Sequence, residues 1–399
     1  MTAEAELPAV LPHRRSHPRC EETVPAPWNA TGRWSPAGPD PVERVRAALA
    51  DVAAGRPVVL AGDEEGGALV LAAELATPEA VAFVVRHTSG FLCVAVTGDD
   101  ADRLDLPLLT GRAVERPAAA QCVAVDARDG VSTGISAADR ARTMRLLAAA
   151  DTDAEDLVRP GHVVPLRVRP DGVLAHRGTA EAAVDLAVLA GLRPSGAVCD
   201  LVSPADPRRM ARGPELAAFA REHGLRLVAV GDLVAYRTRF EALVERAAAT
   251  SLPLAAGRFT AVGYRGRLDG REHLALVHGE IGDGEDVPVH VHRECLAGDV
   301  LGSARCGCGG RLQTALAGIA HEGRGVVVYL RGEPDGADLS RVLFRGAHRG
   351  DDAPSCAAGP GPADDGLDGQ ILWDLGVRSS RSLGGDLTDR GPAAASSGR

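Results

Sequence analysis

Residues 77–97, TPEAVAFVVRHTSGFLCVAVT, contain the signals that decide the fold class. Thr77, Pro78 and Glu79 supply a helix N-cap, a proline suited to the first helical position and an acidic residue for the first turn, so they predict a helix start. We expect this helix to end by Gly90, and the apolar run 91–97 then has the composition of a buried strand. A helix followed directly by a buried strand is typical of mixed α/β proteins.

The same pattern recurs elsewhere in the first 240 residues. A second helix is predicted to open at Pro214 and to close at Gly224, and the strand-like run 225–230 follows it. Helical spacing over 41–55 precedes a short apolar run at 57–61. The sequence therefore predicts an α+β or mixed α/β fold with two domains, each a mixed sheet with flanking helices.

A second domain is predicted to start after residues 236–237. Residues 240–253, FEALVERAAATSLP, indicate a helix followed by a breaker, and residues 257–281 alternate like a β-meander with a turn at 268–270. An amphipathic helix at 312–323 and a buried strand at 325–330 follow. We predict a disordered arm at 1–39, domains at 40–237 and 238–390, and a disordered tail at 391–399.

Composition excludes several classes of function. The chain has 399 residues and a net charge of −10, and all 44 basic residues are arginine. The absence of lysine rules out Schiff-base chemistry and a P-loop lysine. No long basic run is present, so we expect no nucleic-acid partner. No apolar stretch reaches the ~20 residues that span a bilayer, so we expect no membrane association.

The N-terminus and the cysteines indicate a cytoplasmic protein. Residues 1–10 carry Glu4 and Glu6 and lack the basic and apolar regions of a secretory leader. Eight cysteines in a chain of this length do not suggest a disulfide framework. We expect Cys93, Cys122 and Cys199 to be small buried hydrophobes in strand-like runs.

A cluster of three further cysteines predicts a zinc site. Cys295, Cys306 and Cys308 have the spacing C-x10-C-x-C, and thiolates so close in sequence favour zinc. If His292 is a fourth ligand, the site is closed and structural. If it is not, the open position belongs to water, which zinc activates near neutral pH. The spacing alone leaves both alternatives open, as well as three incidental cysteines.

Longer segments carry a family resemblance. VHRECLAGDVLGSARCGCG (291–309) resembles the zinc signature of GTP cyclohydrolase II, with matching flanks on both sides. Upstream, DGVSTGISAADRARTM (129–144), RPGHVVPLR (159–167) and EAAVDLAVLAGLRPSGAVCDLV (181–202) resemble 3,4-dihydroxy-2-butanone 4-phosphate synthase. Together the segments are similar to the bifunctional riboflavin biosynthesis proteins that fuse these two enzymes.

For the first half, the resemblance implies conversion of ribulose 5-phosphate to 3,4-dihydroxy-2-butanone 4-phosphate and formate. It also implies Mg²⁺ or Mn²⁺ as cofactor, bound by His162 and Glu64. Glu181, with Glu64 and Glu65, is implied to be catalytic. Residues implied to bind the substrate are Thr133 and the run Arg159, Pro160, Gly161, His162 and Val163.

For the second half, the resemblance implies that zinc-bound hydroxide opens the imidazole ring of GTP. The matching zinc ligands are Cys295, Cys306 and Cys308. The residues implied to contact the substrate are Glu294, Arg305 and Glu333. The family is also expected to act as a homodimer.

Departures from the family pattern qualify these implications. The acidic loop at 62–68 is shorter than the family's and contains no arginine. Asp335 stands where the family has an arginine facing triphosphate, Arg311 replaces a GTP-contacting glutamine, and the pattern fades after about residue 334. We therefore predict that the synthase activity is the better preserved and that GTP ring opening is impaired. A paralogue of changed specificity and a non-catalytic zinc-binding partner of an intact homologue are the alternatives.

Overall fold

Two mixed β-sheets with helices on their faces make up the part of the chain that this computed structural model describes. That part comprises residues 40–62, 66–109, 120–268, 270–303, 306–331 and 366–383. The arrangement confirms the predicted fold class. The predicted arm at 1–39 and tail at 391–399 lie outside the described residues.

The first sheet has the strand order β4-β6-β3-β7-β2-β1-β8, with β5 paired to β6 outside this path. The β1–β8 and β3–β6 pairs are parallel, and the other pairs are antiparallel. Its strands are β1 (Val58–Ala61), β2 (Gly67–Ala72), β3 (Cys93–Val96), β4 (Ala120–Gln121), β5 (Val125–Ala127), β6 (Leu157–Arg167), β7 (Ser195–Asp200) and β8 (Leu227–Ala229). The helices around it are α1 (Pro41–Ala53), α2 (Pro78–His87), α3 (Gly98–Arg103), α4 (Ala137–Ala148), α5 (Thr179–Leu189), α6 (Pro214–Glu222) and α7 (Val230–Phe240), with 3₁₀ turns at Ala73–Leu75, Ala154–Asp156 and Gly172–Leu174.

Both faces of this sheet are buried. Along β2, Val70 belongs to the hydrophobic core under α1, α5 and α7, whereas its neighbours Leu69 and Leu71 belong to the core under α2, α4 and α6. Successive side chains of a strand point to opposite faces, so a strand buried on both faces is apolar throughout. Cys93, Cys122 and Cys199 are buried, as predicted.

The helix signal at 77–79 acts as predicted. Pro78 opens α2, and the Thr77 hydroxyl accepts a hydrogen bond of 3.2 Å from the backbone N–H of Ala80. The strand after it, β3, runs between β6 and β7 in the middle of the sheet. Pro214 likewise opens α6, and β8 follows it.

The second sheet has the order β14-β12-β13-β11-β10-β9. One face packs against α8 through Ile319, and the other packs against α9 through Ile371. In the described ranges, no helix is long and apolar enough to cross a membrane. The elements are β9 (Val244–Leu254), β10 (Gly257–Gly266), β11 (Glu272–His278), β12 (Val287–Arg293), β13 (Gly325–Leu330), β14 (Ser380–Ser382), α8 (Cys308–Glu322) and α9 (Leu367–Asp374), with a π-helical turn at Leu296–Val300.

The predicted helix at 240–253 is wrong. Within this segment only Phe240 is helical, as the last residue of α7. The residues from Val244 onward form β9, the edge strand of the second sheet. β9 pairs with β10 along its whole length although most of its side chains are exposed. Main-chain pairing with a neighbouring strand has overridden the helix propensity of the alanine-rich segment. Pro253 is tolerated because it lies in an edge strand.

A buried ion pair joins the first and last helices of the first sheet. Arg44 of α1 donates from Nε and Nη2 to the two carboxylate oxygens of Asp232 in α7, at 2.9 and 2.6 Å. Both side chains are below 10 % exposure. Asp232 also accepts from the N–H of Ala229, so it caps α7 as well.

We predict that Asp232→Ala lowers the free energy of unfolding by about 3–5 kcal/mol, because it removes the carboxylate from a buried guanidinium. The measurement is chemical denaturation followed by circular dichroism. Glu272→Ala is the control, since its pair with Arg265 is more than 60 % exposed on both sides and should cost no more than about 1 kcal/mol. Equal small effects of the two variants would contradict the prediction.

Candidate functional site

The RPGH segment at 159–162 bulges out of the first sheet. β5 and β6 pair Val125 with Val163, but the next residue, Asp126, pairs with Val158, so the four residues between them leave the ladder. A Cβ on Gly161 would lie 2.0 Å from the carbonyl carbon of Val125. Only glycine permits this close approach, which brings the bulge against β5.

Asp126 holds His162 by two hydrogen bonds. The backbone N–H of His162 donates to Oδ1 at 2.9 Å, and His162 Nδ1 lies 2.7 Å from Oδ2. The Asp126 side chain is 8 % exposed, whereas that of His162 is 40 % exposed. A carboxylate on Nδ1 selects the tautomer with its proton there and leaves Nε2 as the available lone pair.

The loop before α4 closes over this pair. Gly134 has φ +83°, and a Cβ at this position would collide with Asp126 Oδ2 and His162 Nδ1. Asp139 secures the loop by accepting from Ser132 Oγ at 2.8 Å and from the N–H of Gly134 at 3.1 Å. The hydrogen bond from the Ser132 hydroxyl is the main cause that lowers the pKa of the Asp139 carboxyl. The carboxyl therefore stays ionised and acts as an acceptor.

Arg140 and the predicted substrate-binding residues Arg159 and Thr133 have different environments. Arg140, in α4, is 7 % exposed, and burial chiefly lowers the pKa of its guanidinium. Arg159 donates from Nη2 to the carbonyls of Leu104 and of the residue after it, at 2.7 and 2.8 Å. Thr133 is exposed. Roles of Arg159 and Thr133 in substrate binding stay predictions.

Glu181 forms a separate group at the start of α5. Its side chain is fully buried, Oε1 accepts from the N–H of Arg169 at 3.4 Å, and Oε2 lies 3.1 Å from His176 Nδ1. A Cβ on Gly178 would lie 2.1 Å from Oε2. Within the described residues, no hydrogen bond or ion pair joins this group to His162.

The three predicted zinc ligands meet in the second sheet's domain. The sulfur atoms of Cys295, Cys306 and Cys308 all lie within 4.8 Å of one another, and Cys295 Sγ is 3.7 Å from Cys306 Sγ. Two thiolates at ~2.3 Å from one tetrahedral zinc lie roughly 3.8 Å apart. The donor set and its spacing therefore fit zinc.

Two glycines allow the cysteines to meet. A Cβ on Gly298 would lie 2.7 Å from Cys306 Sγ, and a Cβ on Gly309 would lie 2.4 Å from the carbonyl oxygen of Gly298. The π-helical turn after Cys295 and the first turn of α8 are thus in backbone contact. The Gly298 N–H also donates to Cys295 Sγ at 3.4 Å.

His292, the possible fourth ligand, is not part of this cluster. Its Nε2 lies 3.0 Å from both oxygens of Asp299, and the two side chains are about equally buried. Among the residues that the structure describes, the cluster has three ligands and no fourth. Arg311 donates from Nη2 to Cys308 Sγ at 3.2 Å, so a guanidinium lies against a predicted zinc ligand.

Several predicted site residues fall outside the described ranges. These residues are Glu64, Glu65, Arg305 and Glu333. Glu294 is described, and its carboxylate lies 3.8 Å from Arg331 Nε. In the described part of the chain, the three cysteines are the one group of three or more metal-ligating side chains. The predicted pairing of His162 with Glu64 around Mg²⁺ or Mn²⁺ stays a prediction.

Sequence reasoning missed the partners of the predicted residues. Asp126 holds His162 and Asp299 holds His292, and both pairs depend on contacts between different strands or loops. Neither aspartate stands in a spacing pattern that points to its histidine. Asp299 lies between Cys295 and Cys306 in the chain. Its place inside the cysteine motif was therefore the one sequence signal that could have pointed to it.

Comparison with known proteins identifies two enzyme families along the chain. A family model for 3,4-dihydroxy-2-butanone 4-phosphate synthase matches residues 46–236, and one for GTP cyclohydrolase II matches residues 245–385. A protein of Nocardia farcinica named "Riboflavin biosynthesis protein RibBA" is 52 % identical over 354 residues, 86 % of this chain and 85 % of that protein. A protein of Salinispora arenicola with the same name is 53 % identical over 349 residues, 85 % of this chain and 83 % of its own.

A solved structure is also similar over most of the chain. It is described as RibBX, a two-domain 3,4-dihydroxy-2-butanone 4-phosphate synthase from A. baumannii. The TM-score is 0.69 at 32 % identity, and the match covers 87 % of this chain and 95 % of that one.

We predict that the purified chain binds zinc and that Cys306→Ser loses it, because removal of one thiolate leaves two ligands from the cluster. Metal analysis after exhaustive dialysis measures the zinc content. Cys122→Ala, which removes a buried thiol outside the cluster, should retain the metal. Unchanged zinc content in Cys306→Ser would refute the site.

Proposed function

The chain belongs to the bifunctional riboflavin biosynthesis family, in which a 3,4-dihydroxy-2-butanone 4-phosphate synthase is joined to a GTP cyclohydrolase II. On this premise we propose that its first half converts ribulose 5-phosphate to 3,4-dihydroxy-2-butanone 4-phosphate and formate. The observation that carries the proposal is the Asp126–His162 pair. The description of RibBX as a two-domain enzyme for this reaction gives it further support.

His162 is proposed to hold the divalent metal with Glu64, as the family resemblance implies, and Glu181 is the proposed proton-transfer group. Rearrangement of a ketose phosphate begins with removal of a proton next to a carbonyl group, which requires a base within reach of the substrate. Asp126 on Nδ1 orients the ring and leaves the Nε2 lone pair available as a metal ligand. The pair lies beside the exposed surface of the bulge, where the half-exposed ring is accessible to a small substrate.

Arg140 and the loop at 132–134 complete the proposed site. The guanidinium of Arg140, on which the Asp126 charge acts, is proposed to stabilise the negative charge of the enediolate. A divalent metal would supply further charge stabilisation when bound. Mg²⁺ and Mn²⁺ prefer oxygen donors, and the carboxylates proposed to supply them, Glu64 and Glu65, lie outside the described residues.

We predict that His162→Ala abolishes formate release from ribulose 5-phosphate, because it removes the proposed metal ligand, and that Asp126→Asn lowers it about 10–100-fold, since groups that orient metal ligands commonly contribute this much. Formate is measured enzymatically with Mg²⁺ and with Mn²⁺. His321→Ala is the matched control, because His321 is exposed at the end of α8. Robust activity in His162→Ala would remove His162 from the mechanism.

Glu181→Gln tests the proposed proton-transfer group in the same assay. If the carboxyl transfers a proton, turnover falls while the thermal stability stays close to that of the parent. If Glu181 only holds the start of α5 through Arg169 and His176, stability falls along with activity. The latter result would withdraw Glu181 from catalysis and leave His162 unaffected.

For the second half we propose a zinc site with little GTP ring-opening activity. Arg311 replaces a family glutamine and donates to Cys308 Sγ, and the sequence has Asp335 where the family has an arginine facing triphosphate. Each misplaced electrostatic group costs roughly 10²–10³ in rate. The homodimer also stays a proposal.

We predict that the zinc-loaded protein turns over GTP at least about 10²-fold more slowly than a typical enzyme rate of ~1 s⁻¹. Release of formate and pyrophosphate gives the rate. Arg311→Gln, which reinstates the family residue, is expected to raise it. A parent turnover near 1 s⁻¹ would show that the substituted residues are not needed.

A further inference from the structure

A buried carboxylate connects the zinc loop to the second sheet. Asp299 lies on the π-helical turn four residues after Cys295, and its side chain is 4 % exposed. A carboxylate buried to this degree is costly unless donors satisfy its oxygens. Three groups from two different parts of the fold approach it.

The first group is the backbone of the zinc ligand itself. Asp299 Oδ2 accepts from the N–H of Cys295 at 2.8 Å, while the N–H of Asp299 donates to the carbonyl of Cys295 at 2.7 Å. Both backbone polar groups of Cys295 are therefore held by one residue. Rotation of this peptide would carry the Cys295 thiol away from the other two.

The other two groups come from the middle of the sheet. Tyr329, on β13, donates from its hydroxyl to Asp299 Oδ2 at 3.0 Å, and His292, on β12, contacts both oxygens at 3.0 Å. The two residues are partners in the parallel β12–β13 ladder, and their rings stack with centroids 5.4 Å apart. Burial is the main cause that raises the pKa of the Tyr329 hydroxyl, and the neighbouring Asp299 carboxylate raises it further. The hydroxyl therefore keeps its proton and remains a donor.

We propose that Asp299 is a positioning residue that sets the place of the Cys295 thiolate, and that Tyr329 and His292 tie it to the sheet. The proposal rests on the zinc site proposed above. Cys306 and Cys308 stand at the start of α8, whereas Cys295 stands on a separate loop. The distance between the two halves of the cluster therefore depends on how the Cys295 loop is anchored. Groups that orient metal ligands are commonly worth 10–100-fold in metal affinity.

The test measures zinc affinity by competition with a chromophoric chelator, on the full chain. We expect Asp299→Ala to weaken zinc binding about 10–100-fold, and Tyr329→Phe to weaken it by a smaller factor in the same direction. In Asp299→Asn one carboxylate oxygen is replaced by an amide NH₂ group, which cannot accept the hydrogen bonds that Asp299 receives. We therefore expect an intermediate loss of zinc affinity. The second readout is the absorption spectrum of the Co²⁺-substituted protein, which should depart from the parent's tetrahedral thiolate spectrum in each variant.

Asp374→Asn is the matched control. Asp374, at the end of α9, accepts from the hydroxyl of Tyr264 at 2.6 Å, so it forms a tyrosine–carboxylate bond in the same domain. Tyr264 lies on β10, and β11 and β13 separate that strand from β12, which leads into the zinc loop. Loss of the Tyr264–Asp374 hydrogen bond should change the free energy of unfolding and leave the zinc affinity and the cobalt spectrum unchanged.

The outcomes separate the two proposals. If the parent binds no zinc, the proposed metal site fails and the role of Asp299 falls with it. If the parent binds zinc and folded Asp299→Ala binds it within about twofold, the metal site stands and the positioning role is overturned. If Asp299→Ala does not fold, Asp299→Asn and Tyr329→Phe decide by the same two readouts, and parent-like values in both overturn the proposal.

Discussion

Burial of both faces is the constraint on which the rest of this structure depends. In each sheet, alternate side chains of the central strands enter two different hydrophobic cores, one under each layer of helices. A strand interior of this kind has no room for ionised side chains without partners. Polar chemistry is therefore displaced to places where the chain leaves the ladder: the bulge at 159–162, the turn after β12 and the start of α5.

Glycines that allow close approach of the backbone bring the polar groups at these places together. Gly161 lets the bulge lie against β5, and Gly134 lets the loop before α4 close over Asp126 and His162. In the other domain, contact between Gly298 and Gly309 brings a loop and a helix start together so that three thiols converge. In both sites a side chain larger than hydrogen would separate the functional groups, because the colliding atoms belong to the backbone or to the Asp126, His162 and Cys306 side chains that form the sites.

The two sites also share a way of holding a histidine. A buried aspartate from another segment contacts the ring in each case, Asp126 for His162 and Asp299 for His292. The consequences differ because the exposures differ. His162 is accessible and has a second nitrogen available for chemistry, whereas His292 is buried between the sheet and the zinc loop and acts within the scaffold.

Local signals were sufficient for most of the elements. The Thr77-Pro78-Glu79 start, the strand at 325–330 and the cysteine spacing all express interactions between residues close in the chain, so the sequence by itself determined α2, β13 and which three cysteines meet. The segment 240–253 failed because its conformation is decided by pairing with β10, a contact that propensity does not contain. For the same reason, only the tertiary structure decided that His292 contacts Asp299 and does not join the three cysteines. It also decided that Asp126 orients His162 and that Glu181 lies in a separate group from that pair. Such contacts join residues that are distant in sequence or lie on different elements. Their formation depends on strand register and on close packing of the backbone, and neither is written in the spacing of residue types along the chain.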